Sequence, residues 1–297
     1  LFDGTGVKPV KNGALVIQNG RIVRVTTVAN IGRYTGDGVQ TIHVSGGTIM
    51  PGFVEAHSHM HCSAEAEAYE HIMTDSDETL LMRSVKAQRE ALLSGVTTTR
   101  DLGSKNNIAF AVKKAVADGV VPGPRLLVAG TPITTTGGHC HMFGTEADTV
   151  EEVISALRHQ VKLGADYIKM MSTGGGFTPR TNVRRAQYPS ETLKAAVDDA
   201  ERMGVRVAAH CHGTEGVENC VEAGVHNLIH CTWVSADPDK IYDYDTEVAD
   251  MIAEKGLYVD PTVAFDRIWQ EKGIKVKKED QTILRSDRER RYEILKD

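Results

Sequence analysis

The sequence predicts an α/β fold, a (β/α)8 TIM-like barrel preceded by a small all-β portion. Three observations lead there. Strand-like and helix-like segments alternate seven times after Gly47, the pattern of a parallel sheet with crossover helices. A doubly wound sheet would show the same alternation, and the second observation separates the two. His57, His59, Lys169, His210 and His230 each fall at or near the C-terminal end of a predicted strand. A barrel gathers its functional groups from the ends of several strands at one face. Third, the first fifty residues hold short strand-like runs and turns with no helical period.

Within that opening, residues 14–18 and 21–25 flank Asn19-Gly20, a two-residue hairpin signal. Residues 41–44 form another short β-branched run, followed by Gly46-Gly47. The boundary is placed there, with 1–47 as the β portion and 48–297 as the barrel. A strand at 48–56 is punctuated by Pro51-Gly52. Residues 77–93 carry apolar side chains at helical spacing, with Gly95 just beyond. A strand at 96–100, a helix at 108–117 and a strand at 125–129 follow. Residues 130–144 read as a long loop rich in Gly, Thr and His. A helix at 149–163 and a strand at 167–171 lead into a loop at 172–189 with three consecutive glycines. The helix at 190–203 has Ser190 as its expected N-cap. Strands at 205–210, 227–231 and 257–261 then alternate with helices at 213–223 and 247–255. Residues 278–295 read as a charged helix. Seven barrel strands are visible in this pattern and an eighth is not found.

Acidic residues outnumber basic ones 40 to 34, for a formal net charge of -6, with 41% hydrophobic and 25% charged residues. This composition excludes a disordered chain, a collagen-like chain and a small disulfide scaffold. The mild acidity leaves no electrostatic footprint for nucleic acid. No apolar run approaches the roughly 20 residues that span a bilayer. Five cysteines, an odd number without a CxxC pair, argue against a disulfide framework and for a reducing, cytoplasmic compartment. No signal-peptide pattern opens the chain, which starts with Leu1 rather than Met and is expected to lack its native N-terminus.

The chemistry concentrates in a few residues. His57 and His59 are two apart on a strand, so both imidazoles face one side and can reach one metal ion. Core or surface histidines are the alternative for that pair alone. His210 and His230 each close an apolar run. Four histidines on three strand ends are hard to explain as packing, because an unpartnered polar group is costly to bury. Lys169 lies inside the apolar strand Tyr167-Ile168-Lys169-Met170-Met171. It is read either as a snorkelling or anion-binding lysine, or as a desolvated amine that takes up CO2 and becomes a metal-bridging carboxylate.

At these residues the chain resembles the amidohydrolase superfamily. Pro51-Gly52-Phe53-Val54-Glu55-Ala56-His57-Ser58-His59 is similar to that family's first-strand PGF(I/V)DxHxH motif, with Glu55 in place of the usual Asp. Leu1-Phe2-Asp3-Gly4-Thr5-Gly6 resembles an early strand of its small β-sandwich. Tyr167-Ile168-Lys169 with Ser172-Thr173-Gly174-Gly175-Gly176 is similar to the fourth-strand segment of the imidazolonepropionase-like branch, which includes Xaa-Pro dipeptidases and ochratoxin amidase. Ala209-His210-Cys211-His212-Gly213 and the segment 224–230 resemble its fifth and sixth strands. The resemblance implies two divalent metal ions, Zn2+, with His57 and His59 on the buried one. His210 and His230 would hold the other, and carboxylated Lys169 both. Bound water, its pKa lowered to ~7, would attack a scissile carbonyl polarised by metal. The implied activity is cleavage of the C–N amide bond of a dipeptide or N-acyl amino acid, of dipeptidase or carboxypeptidase type. The partners expected are that small substrate and, compatibly, further copies of the chain.

The family pattern also ends in an eighth-strand Asp that shuttles a proton. Asp260 ends the seventh strand and is not given that role, and Asp280, Asp287 and Asp297 follow no apolar strand. The resemblance therefore implies a chain truncated at both ends, inactive or nearly so alone. Two other readings remain. One is a mononuclear cyclic-amide hydrolase or deaminase with Lys169 unmodified, and the other is an inactive metal-binding fragment or pseudoenzyme.

Secondary marks complete the reading. Thr136-Gly137-Gly138-His139 resembles the branch's TGGH loop, which implies that His139 helps to hold the substrate; His141 is read as a solvated loop residue. His212 is expected to line the substrate pocket or orient a ligand, and His61 to line the pocket. Arg180, Arg184 and Arg185 sit in the fourth-strand loop. Arg180 is the candidate cation for a substrate carboxylate, against a solvated loop. Tyr188 is left open. Cys211 and Cys231 are expected to be buried spacers. Gly174-Gly175-Gly176 lacks a phosphate-loop frame and is read as a tight turn beside the metal centre.

Overall fold

The computed structural model describes residues 1–65 and 67–262. The expected charged helix at 278–295 and Asp280, Asp287 and Asp297 lie outside the described residues. The chain divides into two compact units, Leu1–Phe53 and Val54–Asp297.

In the first unit β1 (Gly13–Gln18) pairs antiparallel with β2 (Arg21–Thr27). Asn19 and Gly20 join them at φ 51° and 72°, the left-handed pair that a two-residue hairpin demands. Two short 3-10 turns follow, Val28–Asn30 and Gly32–Tyr34. The strand expected at 41–44 is not formed. Its residues are exposed, Ile42 to 77%, and no described strand lies alongside to complete a ladder. β-branched composition cannot hold an extended segment without a partner backbone.

The second unit repeats strand and helix. β3 (Phe53–Ser58) starts after Pro51-Gly52 and not at residue 48, because proline has no N–H to give to a ladder. A short α1 (Ala68–Thr74), absent from the sequence reading, precedes α2 (Asp77–Leu93). The Ser76 side chain caps α2 by accepting from the Thr79 amide, with Asp77 and Glu78 at the positive end of the dipole. Then come β4 (Val96–Asp101), α3 (Ile108–Ala117) and β5 (Arg125–Val128). The expected loop at 130–144 contains β6 (Ile133–Thr134), which pairs with the short β7 (Thr145–Glu146). α4 (Val150–Leu163) opens with a Thr149–Glu152 capping box and closes at Gly164, φ 97°. β8 (Tyr167–Met171) and α5 (Ser190–Arg202) follow. Pro189 is the α5 N-cap, so Ser190 is the first helical residue and makes no capping bond, contrary to expectation. β9 (Arg206–Gly213), α6 (Thr214–Ala223), β10 (Asn227–Val234), α7 (Thr246–Glu254) and β11 (Tyr258–Asp260) complete the order.

The strands form a three-stranded sheet, β3-β4-β5, and a six-stranded sheet, β11-β10-β9-β8-β6-β7. The α/β class with parallel pairing holds in both. Asp166 joins them. Its amide donates to the Val128 carbonyl and its carboxylate accepts the Val128 amide, each at 2.8 Å. Alternation then sorts the side chains. Ile168, Met170, Val207, Ala209 and Leu228 pack outward with α4, α5 and α6 in the main core. Leu102, Ala129, Ala208 and Ile229 pack with Tyr167 on the other face. Arg100 crosses that inner face: Nε donates to the Ala56 carbonyl at 2.7 Å, the guanidinium lies 4.9 Å from the Tyr167 ring centre, and a terminal nitrogen donates to the Asn227 side chain. One cation thus ties β3, β4, β8 and β10 together.

Leu157 is fully buried in the main core. Leu157→Ala is expected to cost about 2–5 kcal/mol of unfolding free energy, and Thr149→Ala about 1 kcal/mol through the lost cap. Urea unfolding of both variants checks the order.

Candidate metal centre

The strand ends bring seven polar side chains together. His57 is the penultimate residue of β3 and His59 directly follows the strand, with ring centres 5.1 Å apart. His57 lies 5.3 Å from His230, and His230 lies 4.9 Å from His210. His212 stacks on His230 at 4.5 Å and 15°. His139 lies 4.3 Å from His210. Lys169 is 1% exposed, and its Nζ has no hydrogen-bond partner among the described residues. The buried atoms His57 Nε2, His139 Nδ1 and Asp260 Oδ2 also lack partners. Polar atoms are not left orphaned in a dry interior without reason. An electrophilic ligand is the kind of partner that such donors lack.

Among the described residues, His210, His212 and His230 offer nitrogens all within 4.8 Å of one another, and these three could hold a metal ion. From the sequence His212 is expected to line the pocket or to orient a ligand, and the geometry sets it within ligand reach as well. Hydrogen bonds select the tautomers. The Gly103 carbonyl lies 2.8 Å from His59 Nδ1, so the proton sits there and Nε2 keeps its lone pair. The Gly174 carbonyl, 3.0 Å from His210 Nε2, leaves the lone pair on Nδ1. Thr232 donates its hydroxyl to the His212 carbonyl at 3.2 Å and accepts from His212 Nδ1 at 2.8 Å. Thr262 Oγ1 lies 2.7 Å from His230 Nδ1.

His230 reaches the cluster by an unexpected route. In β10 it sits in register with Cys211, whose side chain packs in the outer core, so simple alternation would point it outward. The backbone instead turns left-handed at His230 (φ 70°), Cys231 (φ 48°) and Trp233 (φ 57°), where the β9–β10 register shifts. Such conformations cost of order 1–3 kcal/mol each. They send the ring to the site and Cys231 into the core with Cys211, the spacer role expected for both.

Burial sets the electrostatics. It pushes His57, His139, His210 and His230 well below the ordinary imidazole range, with neighbouring Lys169 or histidines adding to the effect. Burial followed by Lys169 takes His59 to about 4. Lys169 is lowered to about 8, chiefly by burial. Neutral imidazoles and a readily deprotonated amine are the forms that bind metal. Beside them Ile72, Cys140, Phe143 and Met171 form an apolar cluster joined by Cys62 and Phe177. His61 packs against Phe143 at 4.8 Å and is fully buried.

The glycine run has a specific use. A Cβ on Gly175 would stand 2.4 Å from the His139 ring, and one on Gly174 2.4 Å from the Asn182 backbone. Other candidates fall elsewhere. Arg180 is exposed, at φ 68°, and no described hydrogen bond, ion pair or ring contact links it to the histidines. Arg184 donates to the Ser235, Asp237 and Lys240 carbonyls at 2.6, 3.1 and 2.9 Å, and Arg185 faces Glu215 at 3.8 Å. Tyr188 is a core residue bonded to the Ala147 carbonyl at 2.6 Å. His141 is exposed. Sequence reasoning missed Asp101, fully buried at the end of β4, although a charge closing a β-branched strand is the signal that singled out Lys169. It also set Asp260 aside. Asp260 is in register with inward-facing Ile229 and contributes to the field at Lys169.

Two outcomes are expected. A group whose folded pKa lies below its unfolded value loses native stability as pH falls below the unfolded pKa. The metal-free chain is therefore expected to lose stability from about pH 6.5 downward, on the order of a few kcal/mol for His59 by pH 4. Asp101, raised to about 6 by burial, opposes this trend as one group against several. Unfolding curves at pH 7, 6 and 5 read the slope. Gly175→Ala is expected to displace the His139 ring from His210 with little change in fold, measured by histidine NMR beside circular dichroism.

The Amidohydrolase family model matches residues 48–297. The chain is 30% identical over 288 residues to ochratoxinase of Aspergillus niger, an alignment covering 87% of this chain and 56% of that protein. It therefore spans little more than half the length of that curated relative. The crystal structure of A. niger ochratoxinase superposes with a TM-score of 0.78 at 27% identity, covering 95% of this chain and 68% of the other. A Xaa-Pro dipeptidase crystallised with methionine in its active site gives 0.68 at 26%, covering 80% and 60%. No described helix is long and apolar enough to cross a membrane. The chain belongs to the amidohydrolase family.

Proposed function

We propose that this chain carries the metal centre of a hydrolase that cleaves the C–N amide bond of a dipeptide or N-acyl amino acid. The observation that carries the reading is the convergence of neutral, buried or half-buried and partly orphaned donors at the ends of parallel strands. The family and the relative named as a Xaa-Pro dipeptidase support the amide and dipeptide parts. β3, β4, β5, β8, β9, β10 and β11 are read as seven staves of a TIM-like barrel, and the β1–β2 hairpin as part of a β-sandwich ending near residue 47.

His57, His59 and Lys169 would hold one divalent metal, with Zn2+ favoured by the imidazole donors. His210 and His230 would hold a second, with His212 at ligand distance. Lys169 would bridge both as a carbamate, its neutral amine adding to CO2 with release of one proton to solvent. When bound, such a pair supplies a Lewis acid and a water of lowered pKa. The chain's own residues do the rest. Second nitrogens held by Gly103, Gly174, Thr232 and Thr262 fix the rings. His139 holds the substrate beside His210, the Phe143–Met171 cluster keeps water out, and Arg180 is the candidate for a substrate carboxylate. One observation favours a second reading: His210, His212 and His230 suffice for a single ion with Lys169 unmodified.

Metal analysis and intact mass separate these readings. Two metals per chain and the added mass of one CO2, both lost in Lys169→Ala, are expected. One metal with an unmodified lysine selects the mononuclear reading. Turnover is screened with Xaa-Pro, Xaa-Arg and N-acyl amino acid substrates. His230→Ala is expected to fall beyond the roughly 100-fold that losing an outer partner of a ligand costs. Undiminished turnover after complete metal removal would overturn the proposal.

A further inference from the structure

Asp101 is fully buried where β4 ends. A buried carboxylate is expensive unless its oxygens are satisfied. Oδ2 accepts the Met60 amide at 2.7 Å and Oδ1 the Gly103 amide at 3.2 Å. The Ser104 hydroxyl lies 3.0 Å from both oxygens. Every donor is neutral, so the charge is not there to form an ion pair. What these bonds join is specific. Met60 directly follows His59, and Gly103 supplies the carbonyl 2.8 Å from His59 Nδ1. One carboxylate thus grips the backbone on both sides of a single imidazole.

Gly103 makes this grip possible. Its φ of 144° belongs to glycine, and a Cβ there would stand 3.3 Å from the His59 ring. A residue so unrestrained needs an external hold to aim its carbonyl, and Asp101 provides it through the Gly103 amide. Because a carbonyl only accepts, its direction decides which ring nitrogen of His59 carries the proton.

We propose that Asp101 is a positioning residue that locks His59 in the Nδ1–H tautomer and presents Nε2 to the interior of the site. The consequence for metal binding rests on the proposed function; the tautomer does not. Asp101→Asn keeps size and burial but turns one acceptor into a donor facing an N–H, so one backbone grip is lost. Ser104→Ala removes a donor and leaves both backbone grips, and serves as the control.

The test is 15N NMR of histidine-labelled, metal-free full chain, with metal analysis of the loaded chain. Wild type and S104A are expected to show His59 as a single Nδ1–H tautomer, and D101N a mixture of tautomers. D101N is expected to lose one metal per chain preferentially, with affinity at that position weakened roughly 10–100-fold. Equal loss of both metals from a folded D101N would indicate a merely structural role and overturn the proposal. A wild-type-like His59 spectrum in D101N would also overturn it. If D101N does not fold, the wild-type spectrum still decides, because an Nε2–H His59 contradicts the mechanism. Wild type that binds no metal yet shows the locked tautomer would remove the proposed function and leave the positioning role standing.

Discussion

The cost of burying imidazole and amine groups without counter-charges shapes the whole of the larger unit. His57, His59, His139, His210 and His230 crowd within about one ring spacing of a neighbour, yet all are held uncharged by burial. Lys169 sits with them as a fully buried amine. Without something electrophilic to share their lone pairs, these groups would subtract from stability. The fold tolerates them because the outer face of the same strands packs Ile168, Met170, Val207, Ala209 and Leu228 against helices. Inside and outside of one strand thus do opposite jobs at a spacing of one residue.

Aim is controlled one layer further out. Four of the histidines spend one ring nitrogen on a carbonyl or a threonine hydroxyl. That choice leaves the other nitrogen directed by the scaffold and not by thermal ring rotation. Asp101 and Gly103 extend the hierarchy from side chain to backbone. The strained residues of β10 belong to the same account: a left-handed turn at His230 is a local expense that the paired sheet around it can impose.

Close approach is the second recurring device. Gly174 and Gly175 allow the loop after β8 to lie against Asn182 and the His139 ring, and Gly216 lets α6 meet Thr173, whose methyl carbon would be 2.2 Å from a Cβ there. These contacts bring His139 onto His210 and seat the β9 histidines beneath the loop. Packing at this distance forms the walls of the site with backbone, leaving side chains for chemistry.

The sequence alone determined the alternation of strand and helix, most element positions, and the identity of the histidines and lysine at strand ends. Those are readable because side-chain period acts over a few residues. Capping is less legible: Ser190, the one cap expected, makes no capping bond, while the caps that form, Ser76 and the Thr149–Glu152 pair, are not among those expected. Three kinds of information were not local. The run at 41–44 has strand composition but no partner, and pairing is a property of two segments. His230 would face outward by period, and only the register shift of β10 against β9 turns it inward. His212, Asp101 and Asp260 draw their meaning from groups far along the chain: Thr232 and His230 for the first, the backbone beside His59 for the second, and Lys169 for the third. Chemistry-bearing residue types are written in the chain one by one, but which nitrogen or oxygen points where is decided by backbone torsions and hydrogen bonds that exist only once distant strands lie side by side.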